Sequence, residues 1–359
     1  MEYLIEYVLF LAKAATLVVA FIFVLGTIVS LGSRNKKVTG GRGSITIVHL
    51  NVELDEMRHA MRKSVLGKHE YKSELKLEKK RHKQEEKERK QQAKAAEKAA
   101  TEDEINITKR VYVLDFDGDM EASAVESLRE EITAVLSLAT PQDEVLLRLE
   151  SPGGMVHAYG LASSQLQRIR DEGIALTICV DKVAASGGYM MACLASKLVA
   201  APFAILGSIG VLVQLPNFHR LLRKHDVDYE TITAGEFKTT LTTFGEITQK
   251  GRDKVKEDVE QMHGLFKTWV KQHRPVVEID SIATGETWVG IQALERHMID
   301  AVMTSDECIV NACDDADVYL VSYEIRRSIG DKLGAAIHSA LDRTVMALWK
   351  RVRQSGFYS

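Results

Sequence analysis

One small hydroxyl residue, Ser186, lies in the stretch Asp181-Lys-Val-Ala-Ala-Ser-Gly-Gly-Tyr-Met190, flanked by alanines and glycines. Upstream, Ile174 to Val180 reads IALTICV, a short apolar run rich in β-branched residues that predicts a buried strand, and from Ser186 the spacing of GGYMMACLAS is helical. A serine at such a joint is placed as a nucleophile would be, because the first N–H groups of a helix lack intrahelical partners and can stabilise an oxyanion. Ala-Ser-Gly-Gly also reads as a tight helix start with no chemistry, so other segments must decide between the two.

A serine near pH 7 needs a base within hydrogen-bond reach. No histidine stands beside a recognisable acid in a triad pattern. The better candidate is Lys238, in Thr233-Ala-Gly-Glu-Phe-Lys-Thr-Thr-Leu-Thr-Thr-Phe-Gly245. Its neighbours Phe237, Leu241 and Phe244 predict an apolar setting, which disfavours the ammonium form and leaves an amine able to take a proton; the plainer reading is a surface lysine in a loop. A third segment, Glu150-Ser-Pro-Gly-Gly-Met155, follows a predicted strand, and its amides could face a substrate carbonyl, since Pro152 presets φ and the glycines permit unusual backbone geometry. None of the eleven histidines sits in an HExxH frame. The four cysteines, Cys179, Cys193, Cys308 and Cys313, offer one C-x4-C pair and read as free thiols. No metal and no cofactor is expected, and a formal net charge of -3 argues against a dedicated nucleic-acid binder.

The elements that must position these residues begin after a long preamble. Ala14 to Leu31 (AATLVVAFIFVLGTIVSL) carries no charge and predicts a retained membrane helix over residues 1–33. Glu2 and Glu6 precede it instead of the basic cluster of a cleavable signal. Residues 34–67 form an N-terminal extension with a short strand within 40–52 and helical character from Leu54 to Gly67. Residues 68–98 carry 12 Lys or Arg against 7 Glu, with hardly an apolar residue after Leu77. Such a stretch cannot pack a core, so 68–103 reads as an exposed charged helix or a disordered linker.

From Arg110 strands and helices alternate: strands at 111–116, 144–149, 174–180, 197–201, 211–214 and 229–233, helices at 122–138, 155–170, 186–196 and 218–225. Repeated βα alternation with buried-looking strands implies a largely parallel sheet covered by helices, with sites gathered at the loops after the strands. The apolar run from Tyr189 to Leu215 is read as core, not as a second membrane helix, because Lys197, Pro202, Gly207 and Gly210 interrupt it.

Taken together, SPGG at 151–154, D-x-x-A-A-S-G-G-Y at 181–189, G-S-I-G-V at 207–211, the Gly-Glu-Phe-Lys238 segment and Ala283-Thr-Gly-Glu-Thr-Trp-Val-Gly290, in this order, resemble the signal peptide peptidase A (protease IV) family of serine peptidases. The resemblance implies the fold of the crotonase and Clp protease group, a spiral of ββα units, over a peptidase domain at 104–305, with 306–359 as a C-terminal extension. It implies Ser186 as nucleophile, Lys238 as general base and Ser208 as the hydroxyl that orients the lysine. Gly154, with Gly153, and the amide of Gly187 would form the oxyanion hole. Catalytic groups in this family assemble near subunit interfaces, so a homo-oligomer is implied. The longer members carry two tandem copies of the domain, and one copy is visible here.

The leading expectation is therefore a bacterial inner-membrane serine endopeptidase with a Ser/Lys dyad, cleaving extended peptides such as remnant signal peptides or misfolded membrane proteins. Arg34, Lys36, Lys37 and Arg42 favour a cytoplasmic C-terminal side, whereas the family's domain faces the periplasm; both orientations stay open. Two other classes compete: a non-catalytic membrane scaffold built on a retired peptidase, and a crotonase-like acyl-CoA enzyme. Neither gives a chemical reason to keep both Ser186 and Lys238.

Overall fold

The computed structural model describes residues 43–67 and 109–324, with isolated positions between 69 and 87. The expected membrane helix and most of the charged segment lie outside the described residues. Among those described, no helix is long and apolar enough to cross a membrane.

The compact unit Ile45–Tyr323 is a mixed α/β fold built on a seven-stranded sheet. In chain order its strands are β1 (Ser44–His49), β2 (Arg110–Asp117), β3 (Glu144–Glu150), β4 (Ala175–Val180), β6 (Lys197–Ala200), β9 (Ala301–Val302) and β10 (Asp317–Glu324). Their spatial order is β1-β10-β2-β3-β4-β6-β9. Every pairing from β10 to β9 is parallel. A smaller sheet, in the order β5-β7-β8, holds β5 (Val183–Ala185), β7 (Ile205–Gly207) and β8 (Thr287–Val289). A parallel bridge between Ser151 and Ala184 joins the end of β3 to this second sheet.

Strand periodicity sorts the core into two faces. Tyr112, Leu114 and Phe116 of β2 point to one side, together with Val145, Leu147 and Leu149 of β3. Helices α2 (Val125–Leu136) and α3 (Val156–Asp171) cover that side. Residues Val125, Leu128, Ile132 and Val135 of α2, and Tyr159, Ala162, Leu166 and Ile169 of α3, repeat at three- and four-residue spacing and are buried against the strands. Val111 and Val113 point the other way and pack with Leu146, Cys179, Val199 and Val318. Cys308 of α9 (Ser305–Asp315) and Leu50 of α1 (Leu50–Val65) cover this second face. Burying each large aliphatic side chain contributes about 1.5–3 kcal/mol, so the paired faces fix the strand ends that carry the site.

Most predicted elements up to residue 200 are present with boundaries shifted by a few residues. The helix expected over 186–196 is shorter, α4 (Gly187–Ala192), and is preceded by the unpredicted β5. Between β7 and residue 248 the expectation fails. Neither 211–214 nor 229–233 is a strand, and the only regular element there is α5 (His219–Lys224). Leu212, Val213, Tyr229 and Ile232 are exposed and pair with no strand, so their β-forming side chains gain none of the packing that makes such a run a strand. The 25-residue helix α6 (Gln249–His273) was not foreseen; Thr248 caps it by accepting a hydrogen bond from Gly251 N. The rest is α7 (Ile279–Ile282) and α8 (Gly290–Glu295), and the sheet continues beyond residue 305 through β10.

Candidate active site

Ser186 lies between β5 and α4 with φ +52° and ψ −119°, a conformation L-residues avoid. Two hydrogen bonds hold it there: its N–H donates to Gly207 O at 2.8 Å, and its carbonyl accepts from Met190 N at 3.0 Å. The side chain is half-buried, and its hydroxyl has no protein partner among the described residues. A serine raised on a strained strand-to-helix turn presents its oxygen outward, as a nucleophile requires.

The small residues around Ser186 are there because three backbones meet. Gly153, at φ +90°, passes so close that a Cβ on it would lie 2.7 Å from Ser186 Cβ and 2.8 Å from Gly187 N. A Cβ on Gly154 would sit 2.2 Å from Met120 O, and one on Gly187 would strike the Tyr159 ring at 2.4 Å. Close approach, more than turn geometry, thus excludes side chains from 153, 154 and 187. The β3 end is stitched to β5 by Ser151 N to Val183 O at 2.8 Å and Ala185 N to Ser151 O at 3.0 Å.

The amides differ in availability. Gly153 N donates to Ser151 Oγ at 3.1 Å and is engaged. Gly154 N has no acceptor among the described residues, and Gly187 N opens the first turn of α4, where no intrahelical acceptor exists. Two open donors therefore flank Ser186.

Ser208 follows Gly207, the residue whose carbonyl holds Ser186. It has φ +51°, and its N–H donates to Glu286 O at 2.6 Å. The predicted Ala283–Gly290 stretch supplies this support through β8. Gly207 packs against Glu286 and Trp288, while Gly290 is pressed on Ala201 O, 2.1 Å from where its Cβ would be.

Lys238 stands on a separate segment. Its expected burial is not met: it sits exposed in the irregular segment between α5 and α6, its N–H on Gly235 O at 3.2 Å. No hydrogen bond joins it to Ser186 or Ser208 among the described residues. Phe237 and Phe244 beside it are exposed as well, at 46% and 42%; Phe244 packs on Phe218 and Tyr229 and Phe237 lies under Lys250 and Lys254, so the apolar side chains read from the sequence do not enclose the lysine.

Residues missed by the sequence reading support the site from beneath. Tyr159 of α3 is fully buried, its hydroxyl bonded to Ser151 Oγ and to Asp119 O; burial pushes the phenol up. Asp181, after β4, accepts from Ser305 N at 2.8 Å and so ties the approach to Ser186 to the start of α9. A tyrosine on an amphipathic helix carries no local mark of such a role. Among the described residues no cluster of three or more His, Cys, Asp or Glu could hold a metal.

Two family profiles match the chain: one described as Peptidase family S49 N-terminal, over residues 2–166, and one as Peptidase family S49, over residues 168–319. A Haemophilus influenzae protein described as "Probable protease SohB" is 48% identical over 333 residues, spanning 93% of this chain and 92% of that protein. A "Probable protease SohB" of Buchnera aphidicola subsp. Schlechtendalia chinensis is 43% identical over 324 residues, 87% of this chain and 100% of the relative. "Protease 4" of Haemophilus influenzae is more distant, at 24% identity over 215 residues and 35% of its own length.

Proposed function

Because the chain belongs to peptidase family S49, and is a peptidase of the kind its relatives are named for, we propose that it is a membrane-anchored serine endopeptidase using Ser186 and Lys238. The observation that carries this reading is the strained Ser186 with open amides on both sides. In the reaction, Ser186 Oγ attacks the scissile carbonyl carbon while the deprotonated Lys238 amine takes the hydroxyl proton. The carbonyl oxygen, now negative, accepts from Gly154 N and Gly187 N. On collapse, the lysine returns the proton to the leaving amine and an acyl-serine remains; water then repeats the sequence in reverse roles. Ser208 orients the lysine.

The finer fold reading is a ββα spiral of the crotonase and Clp type. Its support is that β4–β5 and β6–β7 each send the first strand to the large sheet and the second to the small one. Residues 1–33 would anchor the protein in a bacterial inner membrane, and the substrates would be extended peptides such as remnant signal peptides or misfolded membrane proteins. The active form would be a homo-oligomer, in which subunit contact covers the exposed apolar segment 212–244 and brings a Lys238 to Ser186.

Labelling the detergent-solubilised full chain with a fluorophosphonate tests this. Modification at Ser186, lost in Ser186→Ala, is expected; labelling elsewhere, or none in a preparation that cleaves peptide, rejects the serine mechanism.

A further inference from the structure

Under the SPGG turn lies a closed line of hydrogen bonds. Tyr159 Oη donates to Asp119 O at 2.8 Å, and a carbonyl can only accept, so the single phenolic proton is committed there. The 2.6 Å contact between Ser151 Oγ and Tyr159 Oη must then be donated by the serine. With its proton spent, Ser151 is left as an acceptor, and it receives Gly153 N–H at 3.1 Å. The order is therefore Gly153 N–H to Ser151, Ser151 O–H to Tyr159, Tyr159 O–H to the Asp119 carbonyl. Ser151 and Tyr159 are both fully buried, so no water competes. A Cβ on Gly118 would fall 2.5 Å from both hydroxyl oxygens, so a glycine is needed above them.

We infer that Ser151 and Tyr159 are positioning residues of the active site: their hydroxyls capture the Gly153 amide and fix the SPGG turn, leaving the Gly154 amide to meet the oxyanion. The inference rests on reading Ser186 as the nucleophile. The line ends on both components of the site. Gly153 packs on Ser186 Cβ, and the Tyr159 ring is the surface against which Gly187, owner of the second open amide, is seated. Chained donors polarise one another in a buried setting: removing the Ser151 hydroxyl releases the Gly153 N–H outright, and removing the Tyr159 hydroxyl leaves the Ser151 O–H without its acceptor, free to turn and a weaker hold on Gly153, so either change slackens the turn. Ground-state peptide binding does not use these donors, whereas the tetrahedral intermediate does.

The test uses the full chain in detergent with Tyr159→Phe, which keeps the ring against Gly187, and Ser151→Ala. Should Ser151→Ala not fold, Ser151→Cys replaces it. The expected result for Tyr159→Phe is a kcat at least tenfold lower with KM within threefold. Affinity for a peptide aldehyde, whose adduct carries the oxyanion, should fall by the same factor as kcat/KM. Binding of the uncleaved peptide to a Ser186→Ala background should not change. The double variant should cost no more than the worse single one, since both break one line. A kcat within threefold of the parent, additive losses, or equal weakening of aldehyde and uncleaved peptide would overturn the inference. Absence of fluorophosphonate labelling at Ser186 in the parent would instead reject the nucleophile, and this proposal with it.

Discussion

The two halves of the proposed dyad live in opposite surroundings. Ser186 is set on a frame of buried strands, held by Gly207 O and walled by glycines that admit no side chain. Lys238 hangs on a segment whose Leu212, Ile232 and Phe237 are 72%, 90% and 46% exposed. One half is finished by the fold itself, with long-range backbone bonds. The other sets large apolar side chains on an exposed surface among charged ones, which is how a chain looks where a further surface covers it.

Removing the finished half should have the largest effect. Ser186→Ala is expected to lower kcat by at least about three orders of magnitude with the melting temperature unchanged, because no other group supplies the acyl acceptor; peptide turnover and calorimetry on the same preparation check this, and activity within tenfold of the parent breaks the assignment. The unfinished half comes next. Lys238→Ala and Lys238→Arg should both lose about 10²–10⁴-fold, since arginine keeps the charge but cannot give up its proton. Good activity in Lys238→Arg would return this residue to the surface.

Stability separates the regions in the other direction. Leu166→Ala, on the buried face of α3, should cost about 2–5 kcal/mol in urea unfolding. Ile232→Glu should change the stability of the chain by no more than about 0.5 kcal/mol. It should nevertheless lower both the sedimenting mass and the activity; an unchanged mass with full activity would mean that no subunit covers the segment. The smallest effect belongs to the charged stretch. Deleting residues 68–98 should alter turnover of a short soluble peptide by less than tenfold, and a larger loss would show that the stretch contributes to chemistry.

Legibility in the sequence follows the same division. The strands β2, β3, β4 and β6 can be read from short apolar runs because both sheet faces are buried, and α2 and α3 from their helical stripe. The strand-to-helix turn at Ser186 and the glycines at 153, 154 and 187 are legible for the same reason: backbone crowding restricts residue type. The three-residue strands β5, β7 and β8 are too short to show a period, yet they set Ser186 and Ser208. Val211–Gln214 and Tyr229–Thr233 mislead because apolar, β-branched runs look alike whether they meet a neighbouring strand or another surface. Tyr159 was invisible because its role depends on a hydroxyl reaching Asp119 and Ser151 across the fold, which spacing along the chain does not encode.

The placement of β10 has a consequence for biosynthesis. This strand, made last of those described, inserts between β1 and β2, made first, and pairs in register with Arg110 to Val113. A nascent chain on the ribosome therefore carries β2 with one edge unpaired until Glu324 has been delivered, exposing the apolar face of Val111 and Val113 to any other strand nearby. The turn after β2 holds Asp119, on which the Tyr159 hydroxyl closes. The large sheet is thus completed only when its last-made strand slides in beside its first, so the order of synthesis and the order of the strands run against each other.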